Sequence, residues 1–471
     1  MSAWWTFAQR ATWAAAALAL VGCATFSTDG GFGRVSELTH ERTGQTASWQ
    51  RDAAEQPLTQ ARVAELLESP LTADAAVEVA LLSNRGLQAS FQELGIAEAQ
   101  LVQAGRLRNP TFSFAKMRAG GVTTEIERAV MINLLAILTM PLGRELEQHR
   151  FTQTQLQVAA DAVAVAVEAR RAYFNAVAAQ VLTKHFERLK DAADASSELA
   201  RRMVQAGNFS KLMQMREHAF YADATAQLAR SRQHAAAERE RLTRALGLQS
   251  SLEFTLPERL PDLPQAPRQP QDAEQIAMDK RLDVLVAKQS ANAVARSLAL
   301  TKVTRMVNVL DVAYRNKSVP GEPRENGYEI EIELPIFDFG TTRLARAEAT
   351  YMQAVHRASE VAVNARSQVR ESYTAYRTTY DLAKHYRDEV VPLRKRISEE
   401  ALLRYNGMLI GIFDLLADSR DQVASVTAAI EAQRDFWLAD ADLQMAMMGT
   451  GPAPSRNQRF SASPAPAAGG H

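Results

Sequence analysis

Glycine and proline break helices, and in this chain of 471 residues they leave two long intervals almost free of both. Between Gly143 and Gly247 the only glycine is Gly207, and there is no proline. Between Gly340 and Gly449 stand only Gly407, Gly411 and Pro392. Each interval predicts a very long helix, a turn at the middle glycine and a shorter helix running back. The same layout twice implies an internally duplicated chain. Three pairs spaced by nearly 200 residues carry the duplication: Arg85-Gly86-Leu87 with Arg281-Leu282-Asp283, Pro141-Leu142-Gly143 with Pro335-Ile336-Phe337, and Gly207 with Gly407.

The first repeat is expected over 71–248, with helices at 72–105, 144–206 and 212–246. The second is expected over 273–449, with helices at 273–302, 341–406 and 412–448. In each, the two medium helices together match the long one in length, which suits one long helix lying beside two shorter ones. Val355, Ala362, Val369, Tyr376, Ala383 and Val390 recur every seven residues and mark a coiled-coil seam. The seam of the first long helix (Val163, Val167, Val177, Val181) is interrupted by Arg170, and Pro392 predicts a kink in the second. Residues 249–272 hold five prolines and read as a stiff linker. Residues 23–70 read as a spacer and 450–471 as a disordered tail.

Strands are expected between the first and second helix of each repeat, at about 109–117, 126–140, 303–315 and 328–337. Tyr328-Glu329-Ile330-Glu331-Ile332-Glu333-Leu334 alternates strictly, with three carboxylates on one face and aliphatic groups on the other. Such a strand fits a membrane barrel, where Glu329, Glu331 and Glu333 line the lumen. Residues 126–140 are apolar on both faces and leave their orientation open. Four strands cannot close a barrel, and an open sheet in lipid leaves backbone groups unsatisfied. Sharing among subunits gives eight strands from two copies or twelve from three.

Residues 1–22 read as a secretory signal, ended by Leu20-Val21-Gly22-Cys23. Cys23 is the only cysteine, so it has no internal disulfide partner, and the four residues match a lipobox in which Cys23 carries covalent lipid. Lys+Arg and Asp+Glu are equal at 54 each, which leaves no nucleic-acid footprint.

The chain resembles the outer membrane efflux protein family, the TolC-like channels, in its lipoprotein subgroup. The residues that carry the likeness are the lipobox, Leu71-Thr72 to Arg85, Arg108-Asn109-Pro110, Leu334-Pro335-Ile336-Phe337-Asp338-Phe339-Gly340, and Arg404-Tyr405-Asn406-Gly407 followed by Phe413-Asp414-Leu415-Leu416. The resemblance implies a mainly α fold with a small membrane β part. Its coiled-coil helices would form a periplasmic tunnel below a twelve-stranded barrel completed by a homotrimer in the outer membrane. It also implies a periplasmic adaptor and an inner-membrane pump as partners, with export of drugs, metal ions or proteins. The turns at Gly207 and Gly407 would then be the pore tip. Asp414 matches the family's acidic ring, whereas Asp418 stands one place away from the second acid. Met213 and Leu409 occupy places where TolC has polar locking groups, so closure by apolar packing plus a ring of Asp414 is expected.

Met203, Met213, Met215 and Met408 are read as packing residues and not as a copper site, and no paired histidine spacing suggests a metal. No P-loop, GxSxG elbow or cysteine nucleophile marks an enzyme, and no cofactor beyond the lipid on Cys23 is expected. The alternatives to an efflux duct are the outer-membrane component of a protein secretion system and a periplasm-spanning coiled-coil scaffold without a pore.

Overall fold

The computed structural model describes residues 25–51, 56–119, 123–248, 253–269, 272–307 and 309–451. Cys23, the signal segment and most of the 450–471 tail lie outside the described residues. The chain is mainly helical with one four-stranded antiparallel sheet. In chain order the elements are α1 (Phe32–Thr43), α2 (Gln56–Glu68), α3 (Ala73–Ser83), α4 (Arg85–Ala104), β1 (Thr111–Ala119), β2 (Thr123–Asn133), α5 (Leu134–Gln205) and α6 (Lys211–Leu246). There follow α7 (Ala273–Lys280), α8 (Leu282–Thr304), β3 (Leu310–Ser318), β4 (Glu325–Ile332), α9 (Thr341–His385), a π-helical turn (Tyr386–Val390), α10 (Val391–Asn406) and α11 (Ile412–Met448).

Two compact units divide the chain. One gathers residues 1–35, 91–158 and 285–361, and the other gathers 36–90, 159–284 and 362–471.

The first unit holds the sheet, in the order β1-β2-β3-β4. β2 of the first half pairs with β3 of the second, from Ile126 opposite Ser318 to Asn133 opposite Asp311. The strand expected at 126–140 stops at Asn133, and residues 134–140 are the first turns of α5. The Asn133 side chain accepts a hydrogen bond from the Ala136 amide at 2.6 Å and caps the helix. An apolar run with no alternation has no strand signal to oppose that cap. The expected strand at 303–315 shifts to 310–318 because α8 continues through Thr304. The one expected at 328–337 shifts to 325–332, so residues 316–318 and 325–327, half of the stretch between the two expected strands, are strand. The N-terminal stretch is fastened here: the Ser27 amide and hydroxyl donate to Glu98 at 2.6 and 2.5 Å, and Phe32 packs edge-on against Phe91.

The second unit is a helical core. Within 23–70, expected to be a spacer, α1 and α2 are helices, and Val63 and Leu67 of α2 enter the main apolar cluster. Arg42 donates to the carbonyls of Leu38, Lys280 and Met448, which satisfies three carbonyls with one side chain. Each expected single helix before the strands is split. In the first half the break is at Asn84, whose Oδ1 accepts from the Leu87 amide at 3.0 Å and whose Nδ2 donates to Ala245 at 3.3 Å. In the second it is at Arg281, fully buried, whose guanidinium donates to Asp283, Gln368 and the carbonyl of Ala446.

The seam of α9 is buried as its heptad predicts at Val369, Tyr376 and Ala383, joined by Ala365, Ser372 and Tyr380. The Pro392 expectation resolves into the π-helical turn just before it. A proline cannot donate to the carbonyl four residues back, and the widened turn absorbs the missing bond. The proline-rich linker has no ladder of its own. Tyr380 donates to the carbonyls of Pro264 and Gln265, Trp437 and Gln433 donate to that of Pro261, and Tyr376 accepts from the Arg268 amide. Extended proline segments leave carbonyls unsatisfied, and here side chains of α9 and α11 take them up.

Candidate functional site

The sheet has two unlike faces, and the register assigns every residue to one of them. Phe112, Val130, Tyr314 and Tyr328 form one row across all four strands, with Ile132, Val312 and Ile330 in the next. All of these side chains but half-buried Val312 are exposed, Tyr328 at 85% and Ile330 at 65%. Toward the hairpin loops the same face turns polar: Arg128 donates to Asn316, which donates to Asn326. The orientation of β2, open from sequence, is thus settled by its partners.

The other face is ionic. One row holds Thr111, Met131, Ala313 and Glu329, and another holds Ala115, Glu127, Lys317 and Glu325. Glu329, Glu331 and Glu333 all fall on or beside this face, and Glu329 has a cation beside it. Arg315 on β3 pairs with Glu329, and Lys317 pairs with Glu125 on β2. These cations were not singled out in the sequence, because 303–315 shows no clean alternation. Glu331 stands opposite Asp311, and Glu333 lies just past the end of β4. Both outer strands, β1 and β4, are paired on one side only.

The hairpin turns belong to the second unit. After α5, Gly207 adopts φ +77°, with Asn208 donating to Met203 and Gly207 to Val204, a left-handed helix stop. Ser210 then caps α6 by accepting from the Met213 amide at 3.3 Å. After α10 the same bonds run from Leu409 to Arg404 and from Met408 to Tyr405. The left-handed residue there is Met408, at φ 58°, and not Gly407. Gly407 was expected to be the turn residue, and the turn lies one residue later.

Asp414 is exposed in the first turn of α11, and its carboxylate accepts from the Gly411 amide at 3.1 Å. Asp418 is half-buried, with one carboxylate oxygen lacking a partner among the described residues.

Leu409 is 76% exposed and Met213 half-buried. A charged link lies near the turns. Buried Glu217 on α6 accepts from Ser196 of α5 at 2.7 Å, and both its oxygens lie 3.0 Å from Arg420 of α11. The Arg420 guanidinium also sits 3.9 Å from the Phe220 ring centre. His185 of α5 contacts the Val423 carbonyl at 3.2 Å, and burial pushes its imidazole below the usual range, so the neutral ring donates. Sequence could not reveal this link, because Glu217 and Arg420 are 203 positions apart.

The same arrangement of elements occurs in solved outer-membrane channels. The CmeC outer membrane channel of Campylobacter jejuni matches with a TM-score of 0.69, over 82% of this chain and 88% of that one, at 15% identity. VceC, an outer membrane protein of Vibrio cholerae, matches at 0.65 over 80% and 96%, also at 15% identity. The MtrE outer membrane channel of Neisseria gonorrhoeae, solved in its open state, matches at 0.66 over 79% and 88%, at 17% identity. The chain has the outer-membrane channel fold. These neighbours are channel proteins, not enzymes. No protein-family model matches the chain, and no curated protein matches it. Among the described residues no helix is long and apolar enough to cross a membrane, and no cluster of His, Cys, Asp or Glu could hold a metal ion.

Proposed function

We propose that the protein is the outer-membrane exit duct of a tripartite efflux system, passing drugs, metal ions or other small solutes. The observation that carries this reading is the two-faced sheet with both edges open. An apolar exposed face suits lipid, an ionic face suits a water-filled lumen, and unpaired edges in lipid must find partners. Three copies supply twelve strands, enough to close a barrel with an aqueous interior. Glu329, Glu331 and Glu333 would line that lumen, with Arg315 tempering the charge. The turns at Gly207 and Met408 would form the narrow end, with Asp414 at its entrance. An adaptor and an inner-membrane pump follow from the family resemblance, and lipid on Cys23 follows from the lipobox Leu20–Cys23.

The test is native mass spectrometry of the detergent-extracted protein followed by planar-bilayer recording. A trimer with lipid on Cys23 and stepwise conductance is expected. A monomer that never conducts would sink the reading. In the same bilayers Asp414→Ala should weaken cation selectivity, and unchanged selectivity would remove Asp414 from the pore.

A further inference from the structure

Charge at the helix end of the sheet is segregated by strand. The helix junctions of β1, β2 and β3 hold Arg106, Arg108, Arg144, Lys302 and Arg305, whereas the acids Asp311, Glu329, Glu331, Glu333 and Asp338 lie on β3, on β4 or just after β4. The loop end carries both signs, with Lys116, Arg118, Lys317 and Arg324 against Glu125, Glu127, Glu322 and Glu325.

A cleft lies at the helix end, between the close of α4, the first turns of α5 and Leu300 of α8, with a volume of about 920 Å³. Its lining includes Arg106, Arg108, Arg150 and one acid, Glu147, which lies 2.6 Å from Arg150. The same lining includes Ile137 and Met140. The cleft adjoins the end of the sheet where the apolar rows of Phe112 and Ile132 stand. An arginine fork matches a phosphate, while apolar groups beside it match the start of an acyl chain.

We infer that this cleft binds the headgroup of an anionic phospholipid in the membrane leaflet nearer the helices. The inference rests on the sheet lying in a bilayer, as proposed above. Charge complementarity selects the occupant. A zwitterionic headgroup offers its phosphate together with a competing ammonium, whereas a phosphatidylglycerol headgroup offers the phosphate alone. Basic side chains beside a membrane attract anionic lipid additively.

The experiment is native mass spectrometry of the full protein extracted in detergent, incubated with phosphatidylglycerol or phosphatidylethanolamine. Phosphatidylglycerol should be retained about tenfold better, with the preference falling at high salt. The double variant Arg106→Gln/Arg108→Gln should bring the two lipids to parity, while Arg324→Gln at the loop end leaves the preference intact. Equal retention of both lipids by the unaltered protein, or full retention of phosphatidylglycerol by the double variant, overturns the inference. If the double variant does not assemble, a preference in the unaltered protein that ignores salt overturns it as well. Displacement by inorganic phosphate alone would mean a phosphate site that does not require lipid, and would also overturn it. Failure of the channel reading would register separately, as a protein that neither inserts nor conducts.

Discussion

The two halves of the chain leave the sheet in different ways. In the first half α5 begins directly after β2, runs through Pro141, and carries Gly143 as an ordinary helical residue with open space around it. In the second, eight residues separate β4 from α9, and Gly340 ends them at φ +71°. A Cβ on Gly340 would stand 2.4 Å from the Arg305 carbonyl oxygen. Further along the repeat the division is reversed. Gly207 and Gly247 are left-handed, whereas Gly407 and Gly449 are not. Two glycines can align in a duplicated sequence and still do unlike work. One is required by backbone geometry, while its counterpart merely interrupts a helix.

The largest expected contrast lies at that junction. Gly340→Ala combines left-handed strain with a clash against backbone, and should cost on the order of 3 kcal/mol in thermal or denaturant unfolding. Gly143→Ala removes a helix-interior glycine and should gain up to about 1 kcal/mol. Equal effects at the two positions would mean that the halves leave the sheet alike.

The second contrast concerns buried acids on the returning helices. Glu217 depends on Arg420, so Arg420→Ala should cost about 2–3 kcal/mol by leaving a buried carboxylate with only Ser196. Adding Glu217→Gln to that variant should recover part of the loss, since no charge then remains buried. No recovery would mean that the cost comes from lost packing on Phe220.

Further along, Glu238 on α6 and Asp440 on α11 are both buried, but only Glu238 has a close cation on its own helix, Arg241. Asp440 has Arg268 at 3.6 Å, and burial raises its carboxyl above the ordinary range. A carboxyl raised in the folded state penalises folding above both its pKa values, and the penalty vanishes below the unfolded value of about 4. Asp440→Asn should therefore stabilise the protein at pH 7 by about 1 kcal/mol, with the gain disappearing in acid. A gain independent of pH would contradict the assignment.

The smallest effect is at the second turn. Met408→Gly relieves a left-handed side chain and should gain about 0.5–1 kcal/mol, while Gly407→Ala should be nearly neutral. The reverse order would return the turn to Gly407.

Much of the helical frame was legible. The limits of α6 and α11 follow from Gly247 and Gly449 to within one residue, because a gap free of breakers ends where the breaker stands. The faces of β4 were legible from period two. Residues 134–140 were not, since an apolar run suits a buried helix as well as a strand, and the cap from Asn133 decided between them. The helices in 23–70 were missed because α2 has little amphipathic signal and is held by docking into a core built from elsewhere.

The sequence by itself determined where the long helices turn, which seam of α9 is buried and which face of β4 is acidic. Each of these is a local periodicity or a local breaker. Only the tertiary structure decided the pairing of β2 with β3, the cation set against Glu329, the left-handed role of Met408 and the Glu217–Arg420 link. These depend on register and on contacts between residues far apart in the chain. A period of two or of seven gives the spacing of side chains along one element, and it carries no information about which element stands opposite.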